Sequence, residues 1–101
     1  MNVRLLHTTK LAKTGDGLKI LLVDDSDDNR MLINSYLRNK PWKIVDAQDG
    51  AVAVELFKQE HFDLVLMDMQ MPVMDGYTAT TIIRTWEHEQ GRHESVIIAL
   101  S

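Results

Sequence analysis

Three aspartates stand directly behind short apolar runs. Ile20–Val23 leads into Asp24 and Asp25, and Leu64–Met67 leads into Asp68, while a further run, Val96–Leu100, ends at a hydroxyl, Ser101. Taken singly, each aspartate reads as a helix cap or a turn former. Taken together they ask for more. If the first two runs are neighbouring strands, three carboxylates meet within a few ångströms. At about 4 Å and an effective dielectric of about 20, each like-charged pair costs roughly 4 kcal/mol. A small domain has a net stability of only about 5–15 kcal/mol. Such a cluster must be protonated, well hydrated or bound to a cation. Mg²⁺ suits it, because that ion takes oxygen ligands, uses one or two carboxylates directly and keeps several waters. A carboxylate beside a hard cation is also suited to phosphoryl transfer. Asp68 could attack phosphorus while the metal offsets charge on the incoming oxygens, and the Ser101 hydroxyl could donate to one of them.

The elements that would position these groups alternate along the chain. Ile20–Val23, Lys43–Ala47, Leu64–Met67 and Val96–Leu100 are short apolar runs of the kind that form strands buried on both faces. Between them lie amphipathic segments. Asn29–Arg38 sets Leu32, Ile33, Tyr36 and Leu37 at helical spacing, with Asp27 or Asp28 as the expected N-cap and Pro41 just beyond the end. Ala51–Gln59 aligns Ala53, Val54 and Phe57 after Gly50. Tyr77–Glu89 aligns Ala79, Ile83 and Trp86 ahead of Gly91. Three consecutive βαβ crossovers predict an α/β fold, a parallel sheet with helices on both faces. Ligands of such sheets bind outside the carboxyl ends of the strands, where Asp24, Asp25, Asp68 and Ser101 all lie. Residues 1–17, mixed in composition and ending in Thr14-Gly15-Asp16-Gly17, read as a tail or linker.

Composition narrows the classes. The 101 residues carry no cysteine, which removes disulfides, thiol catalysis and cysteine-based zinc sites and fits a cytoplasmic setting. A net charge of −4 argues against nucleic acid as a direct partner. No apolar run approaches the roughly 18 residues of a membrane span, so no membrane insertion is expected. Met67, Met69, Met71 and Met74 read as packing and loop residues, since thioethers favour soft metals and the neighbouring carboxylates hard ones. His7, His61, His88 and His93 lack metal-ligand spacing and read as surface residues. Glu87-His88-Glu89-Gln90 reads as a solvated helix end.

Longer motifs resemble one family. Leu21-Leu22-Val23-Asp24-Asp25 resembles the acidic first strand of response-regulator receiver domains of the CheY-like superfamily, and Asp27-Asp28-Asn29-Arg30 the start of their first helix. Leu64 through Gly76, reading Leu-Val-Leu-Met-Asp-Met-Gln-Met-Pro-Val-Met-Asp-Gly, is similar to their phosphoacceptor strand and the loop behind it. Val96–Ser101 is similar to their fourth strand with its switch hydroxyl. The details look most like receivers attached to hybrid histidine kinases. The resemblance implies a flavodoxin-like, doubly wound parallel sheet over residues 18–101, with strand order 2-1-3-4. It implies Asp68 as phosphoacceptor, and Asp25, Asp68 and the Gln70 backbone carbonyl as Mg²⁺ ligands with Asp24 acting through water. Ser101 is then the switch hydroxyl, and the Gln70 side chain tunes hydrolysis. The implied donor is a phosphohistidine on a histidine kinase or histidine phosphotransfer protein. The implied activity is a self-phosphorylating, slowly self-dephosphorylating signalling domain and not a turnover enzyme.

The chain ends at Ser101, where a whole receiver continues with a helix, a strand carrying a lysine, and a last helix. Lys40, Lys43 and Lys58 lie in the wrong elements to replace that lysine. The fold is therefore expected to be incomplete, with four strands and three helices. Val96–Leu100 is expected at an open sheet edge that invites self-association. Two other functions compete: a receiver-like interaction domain without phosphorylation, and a Mg²⁺-dependent phosphatase with an aspartyl nucleophile. The phosphatase needs a general acid two places after the nucleophile, where Gln70 stands.

Overall fold

The hand of the crossovers decides which helix lies on which face. In the computed structural model, which describes residues 3–5 and 17–100, the elements are β1 (Val3–Leu5), β2 (Lys19–Val23), α1 (Asp27–Leu37), β3 (Lys43–Ala47), α2 (Gly50–Gln59), β4 (Leu64–Asp68), α3 (Gly76–Glu89) and β5 (Val96–Leu100). The sheet order is β1-β5-β4-β2-β3. The last four strands run parallel, in the expected order 2-1-3-4 when counted from β2. The step from β2 to β3 moves outward, and the next two steps move back across the sheet. Right-handed crossovers therefore place α1 on one face and α2 with α3 on the other.

The α2/α3 face holds an apolar core. Leu21, Val23, Val65, Met67, Ile97 and Ala99 alternate toward Ala53, Phe57, Ala79 and Ile83. Trp86 packs edge-on against Phe57, at 5.9 Å between ring centres. Met67, Met69 and Met71 are buried in this core, as packing residues should be. The α1 face is different. No residue of α1 is buried, and Met31, Leu32 and Tyr36 are exposed. Of the four apolar residues at helical spacing, Ile33 and Leu37 are half-buried while Leu32 and Tyr36 are exposed, and α1 contributes no residue to the core that α2 and α3 share.

Three further expectations are corrected. Val96–Leu100 is not an edge strand: β1, inside the stretch read as a tail or linker, pairs antiparallel with it through Val3–Leu100, Arg4–Ala99 and Leu5–Ile98. The N-cap of α1 is Ser26, whose side chain accepts from the Asn29 N–H at 3.2 Å. Asp27 and Asp28 instead sit in the first turn, where the helix dipole favours them. Glu87 is not solvated. It is 1% exposed, and its carboxylate accepts from Arg84 Nη1 and from the Ser95 N–H, each at 2.8 Å.

Candidate functional site

The register brings the acids together. Val23 of β2 pairs with Met67 of β4, so the residues that follow each, Asp24 just past β2 and Asp68 as the last residue of β4, stand side by side at the carboxyl rim of the sheet. One carboxylate oxygen from each of Asp24, Asp25 and Asp68 lies within 4.8 Å of the others. Asp24 is buried, Asp68 half-buried and Asp25 exposed, so the cluster opens to solvent on one side.

Local chemistry fixes Asp24 and Asp68. The Asp24 N–H donates to the Ala47 carbonyl at 3.1 Å, which ties the rim of β2 to the end of β3. The Asp24 carboxylate accepts from the Ser26 N–H at 2.9 Å and so turns the chain into α1. Asp68 accepts from the Gln70 N–H at 3.0 Å, a turn two residues long that aims its carboxylate back over the rim. Met69 N–H donates to the Leu100 carbonyl at 3.1 Å, anchoring the strand end on its other side.

Behind the acceptor the backbone comes very close. A Cβ placed on Gly76 would stand 2.3 Å from the Asp68 carbonyl oxygen and 2.8 Å from the Met69 Cα. Only glycine lets the start of α3 pack on that strand end. Asp75 caps the helix there, accepting from the Thr78 N–H at 2.7 Å, and this bond holds its carboxyl below the ordinary aspartate range.

Asp68 is pushed the other way. Burial raises its carboxyl above the ordinary aspartate range, against the Gln70 N–H, and the charges of Asp24 and Asp25 add to the rise. Asp25 is within hydrogen-bonding reach of it. An all-oxygen donor set whose members repel one another matches a hard divalent cation: it offers the right atoms and gains by losing the repulsion. The donor set therefore fits Mg²⁺.

Of the predicted site residues, the structure gathers the Asp24, Asp25 and Asp68 carboxylates at one rim, and the Gln70 N–H bonds to Asp68 there. Ser101 lies outside the described residues. Two lysines, Lys19 and Lys43, begin β2 and β3 at the opposite end of the sheet. Sequence reasoning missed Ser26 and Arg30. The spacing of Ser26 before Asn29 could have pointed to the cap. Arg30 donates to the Asp24 carbonyl, a backbone group that no side-chain pattern marks.

Comparison with known proteins agrees with this geometry. Residues 20–101 match the family model of the response regulator receiver domain. Sensor protein GacS of Pseudomonas syringae pv. syringae is 43% identical over 83 residues, which are 82% of this chain and 9% of that protein. Two solved structures are similar. The receiver domain of the histidine kinase CKI1 from Arabidopsis thaliana complexed with Mg²⁺ has a TM-score of 0.74 and 32% identity, over 83% of this chain and 67% of that one. The receiver domain of Saccharomyces cerevisiae Ssk1, in a co-crystal with the histidine phosphotransfer protein Ypd1, has a TM-score of 0.75 and 29% identity, over 86% of this chain and 63% of that one. The chain thus spans a small fraction of the curated relative and about two thirds of the solved chains. Among the described residues, no helix is long and apolar enough to cross a membrane.

Proposed function

Since this chain belongs to the response regulator receiver domain family, we infer that it takes a phosphoryl group from a phosphohistidine onto Asp68, with Mg²⁺ at the acidic rim. The observation that carries this is the meeting of the Asp24, Asp25 and Asp68 carboxylates within 4.8 Å. Asp25, Asp68 and the Gln70 carbonyl would ligate the ion, with Asp24 acting through water. Bound there, Mg²⁺ supplies positive charge that offsets the phosphoryl oxygens.

The protein's own groups do the rest. The Gln70 N–H holds one Asp68 oxygen at 3.0 Å, which leaves the other to act as nucleophile. That oxygen forms a bond to phosphorus as the bond from phosphorus to the donor imidazole nitrogen breaks. The imidazole takes one proton from solvent and so leaves neutral, and Asp68 becomes an acyl phosphate. Water would later cleave that phosphate, and the Gln70 side chain, exposed two residues after the acceptor, would tune its approach. Ser101 would donate its hydroxyl to the phosphoryl group. The receiver unit is residues 18–101, working in the cytoplasm.

The complex of Ssk1 with Ypd1 and the likeness to the receiver of the histidine kinase CKI1 support a histidine phosphotransfer protein or histidine kinase as donor. Self-association through β5 would require β1 to leave that strand, so light scattering of the intact chain across a dilution series tests whether the edge is free. The central test mixes the protein with Mg²⁺ and a small phosphodonor or beryllofluoride. An adduct is expected by intact mass or tryptophan fluorescence in the parent and none in Asp68→Ala. Equal modification of both proteins would overturn the assignment.

A further inference from the structure

Arg30 lies on the second turn of α1, with its side chain 13% exposed. Its guanidinium reaches three acceptors on three different segments. One terminal nitrogen donates to the main-chain carbonyl of Asp24, and the other pairs with the Asp27 carboxylate. Nε lies 3.7 Å from Asp46 Oδ2, at the end of β3. Asp46 is held in turn by Asn34 Nδ2 at 3.2 Å, and Asn34 also donates to the Arg30 carbonyl at 2.8 Å. A planar fork with five N–H donors can satisfy such a spread of acceptors; an ammonium cannot.

The contact with the Asp24 carbonyl reaches the site. That oxygen belongs to the peptide joining Asp24 to Asp25. A peptide unit is rigid and planar, so holding the oxygen fixes the Asp25 N–H and the position of the Asp25 Cα. Asp24 itself is already fixed by the Ala47 carbonyl and the Ser26 N–H. Asp25 is exposed, and the peptide plane sets where its Cα stands and so the point from which its side chain reaches toward Asp68. From this geometry we infer that Arg30 is a positioning residue that sets the Asp24–Asp25 peptide and thereby the cation affinity of the acidic rim. The inference deepens the reading of that rim as a Mg²⁺ site and rests on it.

Charge and geometry make opposite demands here, which gives a clean test. As a cation bonded to the main chain of the rim, Arg30 repels a metal ion there, so removing it should tighten Mg²⁺ binding if charge is all it contributes. As a positioning group, its removal should weaken binding about tenfold or more, the range seen when groups supporting metal ligands are lost. The experiment is a MgCl₂ titration of the intact chain followed by backbone amide resonances, with the parent, Arg30→Met and Arg30→Lys. The expected result is a weaker Mg²⁺ affinity in both variants, with the Asp25 amide resonance displaced already in the metal-free spectrum. Arg30→Lys keeps the charge and loses the fork, and it decides alone if Arg30→Met does not fold. Unchanged or tighter binding by a folded variant would overturn the inference, as would a lower melting temperature with the Asp25 resonance in place. A parent chain that takes no Mg²⁺ at all would instead remove the underlying reading of the rim, and the inference with it.

Discussion

Asp24 and Glu87 are equally buried carboxylic acids, each 1% exposed, at opposite ends of the same sheet. Their neighbours make them different. Glu87 has a guanidinium on one oxygen and a backbone N–H on the other, both at 2.8 Å. It closes the α3–β5 connection, and its charge is matched. Asp24 has one N–H donor and faces two more carboxylates within 4.8 Å. A buried acid that the fold satisfies is structural. A buried acid that the fold leaves among like charges is held there for something that comes and goes. The rim trades stability for a site, and the far end does not.

The largest expected effect lies at the structural end. Glu87→Ala leaves Arg84 without its partner and the Ser95 N–H without an acceptor, so it should cost about 3 kcal/mol or more in urea unfolding. Asp24→Asn keeps an oxygen for the Ser26 N–H and removes one of three repelling charges. It should change stability by less than about 1 kcal/mol in the absence of metal, while Mg²⁺ affinity falls about tenfold. If Asp24→Asn proved as destabilising as Glu87→Ala, the two acids would be alike and the contrast would fail.

Next in size is Gly76→Ala. The added methyl meets the Asp68 carbonyl oxygen at 2.3 Å, a backbone atom that cannot rotate away. The helix start or the acceptor strand must shift, at about 1–3 kcal/mol. Because the displaced atoms belong to the acceptor residue, adduct formation at Asp68 should fall with stability. Gly91→Ala serves as the control: it has open space and a positive φ of 67°, so it should cost about 1 kcal/mol and leave the adduct alone. Equal adduct yield in both variants would show that the rim tolerates movement.

Much of this contrast was readable in the chain, for a physical reason. Parallel strands buried on both faces appear as continuous apolar runs, so Leu21-Leu22-Val23 and Val65-Leu66-Met67 announce themselves, and the residues behind them must stand at one rim. What was unreadable depends on partners distant in sequence or on backbone atoms. Val3–Leu5 is short, and its strand partner lies at the other end of the chain. Glu87 sits in a polar string whose inward turn is set by the Ser95 N–H. Arg30 and Asp27 look like an ordinary surface pair three residues apart, and nothing in their identities reveals the Asp24 carbonyl between them. Helical spacing alone did not say which pair of the α1 stripe would turn inward: Ile33 and Leu37 are the half-buried pair and Leu32 and Tyr36 the exposed one.

The smallest effect is the most direct reading of unmatched charge. Most carboxylates of a folded protein titrate below their unfolded values, as Glu60 does beside Lys19 and Asp75 does at its cap. Their stabilisation is present above the unfolded pKa and fades as the pH falls. Asp68 has the opposite sign: burial first, then Asp24 and Asp25, raise its folded pKa. The folded protein binds that proton more tightly than the unfolded chain, so this contribution is complete at low pH and is lost as the pH rises through the folded pKa. Asp68→Asn removes the loss while keeping an oxygen for the Gln70 N–H. In metal-free buffer the variant should therefore gain on the parent as the pH rises from the ordinary aspartate range through the raised folded pKa, by about 1 kcal/mol or less, or a few degrees in melting temperature. Mg²⁺ should reverse the order, because the ion stabilises the parent by binding its folded state and finds one charge fewer in the variant. A melting difference that stays constant across the acid range would mean that Asp68 is as well matched as Glu87, and the rim would then be no more than another piece of structure.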